Sequence, residues 1–267
     1  MIDIGVNLTN KRFDKDRNEL IVRAKSKGVT QLLITGTSVN ESKQALALCQ
    51  TNQQQFPNTL FATAGVHPHD ADGVNDDYLA ELTQLATQPQ VKAIGECGLD
   101  FNRNFSTPKQ QLKVFKEQIQ LAKQLSMPLF LHQRDAFQPW FNELSPFIDQ
   151  VPAMVAHCFT GNKTELLTCL DAGMYVGITG WLCDERRGKE LQEIVKYIPL
   201  TQLMIETDAP YLTPRNIRPR PKSSRNEPSY LPIIVKKLAE LTSDSEGEIF
   251  HQTKVNTEQV FNWNTAI

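Results

Sequence analysis

Four residues with metal-ligand side chains, Glu96, His132, His157 and Asp208, each stand at or near the end of a short apolar run. The runs read Lys92-Ala-Ile-Gly-Glu96, Pro128-Leu-Phe-Leu-His132, Ala153-Met-Val-Ala-His157 and Leu203-Met-Ile-Glu-Thr-Asp208. Runs this short and this apolar read as strands buried in a parallel sheet. The four residues are spaced 36, 25 and 51 positions apart. A strand with its crossover helix takes roughly 30 residues, so the gaps correspond to about one, one and two βα units. All four side chains would then meet at one end of one sheet.

The rest of the chain continues the pattern. Eight strand-like runs fall near 2–6, 31–35, 60–65, 91–95, 128–132, 153–157, 174–178 and 203–207. Helix signals lie between them: Gly28 follows 13–27, Asn40 precedes 41–50, Pro108 opens 108–125, and Gly173 follows 163–172. Stretches 135–144 and 189–197 cover the next strands, and apolar periodicity at Leu231, Ile234, Val235 and Leu238 precedes a last helix near 246–261. Eight alternations predict an α/β fold, a single TIM (β/α)8 barrel over 1–267, a size that such barrels take as one unit. The rival, an open doubly wound sheet, lacks the GxGxxG or GxxxxGK[ST] loop that would support it.

In a barrel, chemistry sits on the loops that follow the strands, and the polar clusters fall there. They are Gly65-Val-His67-Pro-His69-Asp70, Gly95-Glu96-Cys97-Gly98-Leu99-Asp100, His132-Gln-Arg134-Asp135, His157-Cys-Phe-Thr-Gly161, Gly177-Ile-Thr-Gly180-Trp181 and Glu206-Thr207-Asp208-Ala-Pro210-Tyr211. Imidazole nitrogen and carboxylate oxygen together suit Zn²⁺, Mn²⁺ or Mg²⁺. A bound cation activates water and polarises phosphoryl or carbonyl oxygen, which is hydrolytic chemistry. The blander reading, core histidines beside strand-end ion pairs, explains one such residue better than four on one rim. Pro68 stiffens the loop between His67 and His69, so His67 is expected to reach substrate phosphate or a metal-bound water. His251 reads as a surface or packing residue. Cys97 and Cys158 neighbour the ligands, so strand alternation turns them away from the site.

Composition narrows the class. The formal charge is −2, which argues against a surface coated in basic charge for duplex binding but allows a local patch. One is present: Arg215, Arg218, Arg220, Lys222 and Arg225 crowd a Pro-rich segment at 211–228, and Arg103, Arg134, Arg186 and Arg187 lie on other rim loops. Phe101, Phe105, Phe159, Trp181 and Tyr211 are interleaved, so phosphate charge plus base stacking points to a single strand. Five cysteines with no CxxC pair fit reduced thiols. The opening Met1-Ile-Asp-Ile-Gly5 carries no leader pattern, and no apolar stretch approaches the ~18 residues of a membrane span. These features predict a soluble, cytoplasmic protein with no membrane partner.

Gly95-Glu-Cys-Gly-Leu-Asp-Phe-Asn-Arg-Asn104, His157-Cys-Phe-Thr-Gly161 and Ile205-Glu-Thr-Asp-Ala-Pro-Tyr-Leu212 resemble the TatD family of metal-dependent deoxyribonucleases. The likeness spans the chain. Gly5-Val-Asn-Leu-Thr9 and Gly177-Ile-Thr-Gly-Trp-Leu-Cys-Asp-Glu-Arg-Arg-Gly188 look like the bacterial branch. The resemblance implies a TIM-barrel hydrolase of the amidohydrolase kind that removes nucleotides from the 3′ end of single-stranded DNA, and of RNA, with Mg²⁺. It also implies a role in repair after oxidative damage. Carried over, Glu96, His132 and His157 are metal ligands, Asp208 is a further ligand or general base, and His67 contacts substrate or water. The expected substrate contacts are His67, His69, Arg103, Arg134 and Arg225, and the catalytic set is Asp208, Glu96 and His67. One motif departs: relatives end the first strand with Asp-x-His-x-His, whereas Asp3-Ile-Gly5-Val-Asn7 lacks both imidazoles. An oxygen-rich position then favours Mg²⁺, while His132 and His157 pull toward Zn²⁺ or Mn²⁺. No obligate protein partner is evident and a monomer is expected. Two alternatives stay open: an ester or amide hydrolase, for example of an aminoacyl-tRNA ester, and a non-catalytic nucleic-acid-binding barrel.

Overall fold

Each of the eight apolar runs forms a strand in the computed structural model, which describes residues 1–263. The last four residues of the expected 1–267 unit lie outside the described residues. The strands are β1 (Ile2–Val6), β2 (Gln31–Ile34), β3 (Leu60–Ala64), β4 (Val91–Asp100), β5 (Leu129–Arg134), β6 (Met154–Ala156), β7 (Tyr175–Ile178) and β8 (Leu203–Ile205). All neighbours are parallel and follow chain order. The ends meet through Asn7 N–H donating to Ala209 O (2.8 Å) and Asp208 N–H to Gly5 O (2.8 Å), which closes a TIM barrel. Buried Asp3 strengthens this seam by accepting the Thr207 amide (2.9 Å) beside its hydroxyl (2.5 Å).

The helices are α1 (Arg17–Ser26), α2 (Val39–Thr51), α3 (Tyr78–Ala86), α4 (Pro108–Leu125), α5 (Phe137–Leu144), α6 (Lys163–Asp171), α7 (Lys189–Ile194), α8 (Leu231–Leu241) and α9 (Glu246–Val260). The stretch expected at 41–50 behind Asn40 begins earlier, at Val39, so Asn40 lies inside the helix and Ser38 is the cap. The Ser38 side chain caps α2, Pro108 occupies the first turn of α4, and capping boxes open α6 at Asn162 and α9 at Ser245. Helix α3, absent from the start signals read in the sequence, follows Asp77, whose side chain makes no capping bond. Its buried Tyr78, Leu82 and Leu85 carry the helical spacing. The stretch expected to be helical at 13–27 begins only at Arg17, after a 3-10 turn at Lys11–Phe13.

Two apolar layers hold the barrel. One lies between sheet and helices, and the other fills the barrel interior with Ile4, Leu33, Phe61, Phe130, Val155 and Met204, capped by Phe261 and Trp263. Phe130 is the ceiling of that inner layer, since its ring lies 4.6 Å from the His157 ring. The apolar plug therefore ends where the ligand residues begin.

Candidate metal centre

Glu96 lies inside a strand rather than at its end, because β4 runs on to Asp100. The ladder to β5 skips it: Gly95 pairs with Phe130, Cys97 pairs with Leu131, and the Glu96 amide instead donates to Gly36 O at 2.8 Å. Glycines permit this irregularity. A Cβ on Gly95 would stand 2.2 Å from Phe130 O and one on Gly98 1.8 Å from His132 O, and both glycines have positive φ. The strand can thus hug β5 and still aim Glu96 into the barrel mouth.

Three imidazoles converge on one oxygen of that carboxylate. Glu96 Oε1 is 2.7 Å from His157 Nε2, 2.8 Å from His132 Nδ1 and 3.4 Å from His67 Nε2. Burial opposes the charge on Glu96, but the three rings hold its carboxyl well below the usual range. Burial likewise opposes protonation of His157, yet Glu96 and Glu206 hold its pKa well above the usual value. His67 goes the other way: burial brings it down to about 4, so its ring is neutral near pH 7.

This donor set fits a divalent cation. One oxygen has two lone pairs, too few to accept from three rings. His132 Nε2 is in addition a buried nitrogen without a hydrogen-bond partner. The ligand atoms of His67, Glu96 and His132 all lie within 4.8 Å of one another, a group able to hold a divalent metal. Asp208 stands beside them with left-handed backbone, its Oδ1 accepting from Asn7 Nδ2 at 3.0 Å. Burial pushes its carboxyl up to about 7, against the pull of the His157 charge.

The remaining expected contacts divide. His69 shares the rim, with Nε2 2.6 Å from Asp100 Oδ2 and its ring edge-on to Phe105. Arg134 reaches Thr160 Oγ1 at 3.2 Å and stands over the Trp181 ring at 5.4 Å. Arg134, Thr160 and Trp181, with Gln133, Asp135 and Arg187, line a cleft of about 250 Å³. Arg103 stands by exposed Phe105 at 6.0 Å. Arg225 is not brought to this centre by any contact: it forks onto Asp16 with bonds of 2.7 and 2.8 Å and ties the Pro-rich segment to the start of α1. Arg215 similarly pairs with Glu185, and Phe159 is buried in the core rather than offered for stacking.

Several parts of the centre carried no assigned role in the sequence. Gln118 on α4 binds both Val66 N–H (2.8 Å) and Val66 O (3.0 Å), and Gln111 binds the Asp100 amide (2.9 Å) and carbonyl (3.1 Å). One helix therefore pins the ends of two adjacent strands. Their signal was two glutamines on the inward face of an amphipathic helix. Cys158 departs from the expected direction: past the end of β6 and with φ of 46°, it escapes strand alternation and meets Thr179 Oγ1 at 3.8 Å. Burial, with Asp208 and Glu206 nearby, holds its thiol well above the ordinary value. Cys97 is buried in the apolar core and His251 is exposed, as expected.

The family model described as TatD related DNase matches residues 2–262. The chain is 51% identical over 261 residues to the 3′-5′ ssDNA/RNA exonuclease TatD of Pectobacterium atrosepticum, covering 98% of this chain and 99% of that protein. It is 52% identical over 262 residues to the protein of the same name from Erwinia tasmaniensis, covering 98% and 100%. Among solved structures, a hydrolase TatD family protein from Entamoeba histolytica superposes with a TM-score of 0.89 at 27% identity, covering 98% of this chain and 97% of that one.

Proposed function

The chain belongs to the TatD related DNase family, and from that premise we propose that it is a metal-dependent 3′–5′ exonuclease of single-stranded DNA, acting also on RNA. The observation that carries this reading is the convergence of three imidazoles on Glu96 Oε1 at the barrel mouth. We assign metal ligation to Glu96, His132 and His157, with Asp208 as a further ligand or the general base. His67 belongs to the same group with Glu96 and His132, but its Nε2 lies farther from Glu96 Oε1 (3.4 Å against 2.7 and 2.8 Å), and we leave it to the substrate. Glu96 and Asp208, joined by phosphate oxygens, favour Mg²⁺, with Mn²⁺ as a substitute. When bound, the ion acidifies water and draws charge from the phosphoryl group.

The chain's own residues do the rest. Asp208 accepts the proton of the attacking water at Oδ2, the oxygen that Asn7 leaves free. His67 acts as a donor: its Nδ1 accepts the His69 amide (3.1 Å), which leaves the ring proton on Nε2 to bond a phosphate oxygen. Arg134 offsets phosphate charge at the mouth, and the cleft it shares with Trp181 guides the strand by charge and stacking. Arg103, with Phe105 and His69, extends the same track. Among the described residues no helix is long and apolar enough to cross a membrane. All five cysteines are free, which supports action in a reducing compartment such as the cytoplasm, and the role we propose there, on the family resemblance, is repair of oxidatively damaged DNA.

The test is hydrolysis of a 5′-labelled single-stranded oligonucleotide with Mg²⁺, with Mn²⁺ and with chelator. A ladder shortening from the 3′ end is expected only with metal. His132→Ala is expected to abolish it, and Asp208→Ala to lower kcat by about 10²–10⁴-fold. Intact substrate in every condition would refute the nuclease reading, and near-native rates in both variants would refute the assigned mechanism.

A further inference from the structure

Glu206 follows β8 and is fully buried, two residues before Asp208. No lysine or arginine pairs with it among the described ion pairs. Its partners are two nitrogens just past the end of β6: Oε2 meets His157 Nδ1 at 3.0 Å, and Oε1 accepts the Cys158 amide at 2.5 Å. The carboxylate is also wedged between strands. A Cβ on Gly5 of β1 would stand 2.1 Å from Oε2, and one on Gly177 of β7 would stand 2.3 Å from Oε1. Real Cβ contacts do not come so close, so any larger residue at either position displaces the carboxylate. The opposite edge of the same imidazole puts Nε2 2.7 Å from Glu96 Oε1. Packing on Phe130 fixes the plane of the ring but does not choose which nitrogen carries the proton.

We propose that Glu206 is a positioning residue that holds His157 as its Nδ1–H tautomer, so that the Nε2 lone pair faces the metal position beside Glu96, and that glycine stands at 5 and 177 to admit this carboxylate. A hydrogen-bonded carboxylate behind a metal-binding imidazole orients the ring and raises its basicity. The inference deepens the functional reading above and rests on it for the place of the metal.

Glu206→Gln is the first variant. It keeps the shape but offers one acceptor oxygen and one NH₂ to two donors, so one donor must face a donor. The imidazole can yield by moving its proton to Nε2, whereas the Cys158 amide cannot. Gly5→Ala reaches the same end sterically with Glu206 intact. Titration calorimetry with Mn²⁺ alone is expected to show affinity about 10–100-fold weaker in both variants. Imidazole ¹⁵N spectra of the metal-free protein, recorded at a pH high enough for the doubly protonated ring to have lost one proton, are expected to show His157 as Nδ1–H in the wild type and Nε2–H in Glu206→Gln. Native Mn²⁺ affinity in the two variants, or an Nδ1–H His157 in Glu206→Gln, would overturn the proposal. Neither readout uses nucleic acid: a wild-type protein that binds Mn²⁺ and cleaves no oligonucleotide defeats the nuclease reading alone.

Discussion

Val66 immediately precedes His67, and both of its backbone groups are held by one side chain, Gln118. Buried backbone donors and acceptors must be satisfied, and here β3 has ended and no strand partner supplies the bonds. Gln118→Leu keeps the volume and removes both bonds, so the cost is expected to be about 1–3 kcal/mol. For a chain near this size a loss of 1 kcal/mol lowers Tm by about 2–4 °C. Turnover is expected to fall as well, because His67 loses its fixed neighbour; an unchanged melting curve would show that Val66 is held by other means. The ligand residues themselves were legible because carboxylates and imidazoles interrupt apolar runs. Gln118 was legible only as a glutamine on the inward face of its helix, and helical spacing does not name Val66 as its partner.

At the scale of elements, the loop between β7 and α7 shows how rim arginines are stationed. Asp184 is buried and accepts from the amides of Arg186 (2.9 Å) and Arg187 (3.2 Å) and from Arg187 Nε (2.9 Å). Arg215 of the Pro-rich segment approaches it at 3.8 Å, so one carboxylate links two rim loops. Burial works against its charge, but these amides and guanidinium groups bring its pKa down to about 2. A depressed carboxyl contributes stability that is present above the ordinary value near 4 and lost as pH falls through about 2. Asp184→Asn is therefore expected to be less stable than the wild type by about 1 kcal/mol at neutral pH, as the arginines are exposed and solvent screens them. In urea melts across pH, that gap is expected to close between about 4 and 2; a constant gap would contradict the assignment. The sequence showed this Arg cluster as a basic patch. It did not show that Arg215 and Arg225 face carboxylates, because the pairing residues lie far away along the chain.

The whole molecule depends on the seam where β1 meets β8, and Asp3 sits in it without exposure. Burial raises its pKa to about 7, while bonds from Thr207 and Gly5 act in the opposite sense. The sign follows from linkage: the stability tied to the protonated form is full below the ordinary carboxylate value near 4 and is lost as pH rises through about 7. Asp3→Asn mimics the protonated acid, with Oδ1 accepting the Thr207 amide and NH₂ facing the Thr207 hydroxyl. Thermal melts from acid to alkaline pH are expected to find the wild type falling behind this variant between about 4 and 7, with a constant gap above. Parallel curves for the two proteins would show that Asp3 does not titrate at the seam.

By itself the sequence determined the barrel, its eight strands, and the rim on which Glu96, His132, His157 and Asp208 gather. Strand and helix periods are local, and the order of βα units leaves few ways to wind them. Tertiary structure alone decided what each of these side chains touches. Glu96 sits within β4 because a glycine-permitted irregularity turns it inward, Arg225 is spent on Asp16, and Glu206 lies against His157 in the space beside Gly5. Such contacts join residues up to some two hundred positions apart, and distances of a few tenths of an ångström settle them. Periodicity carries information about which face a residue occupies, but none about which partner waits there.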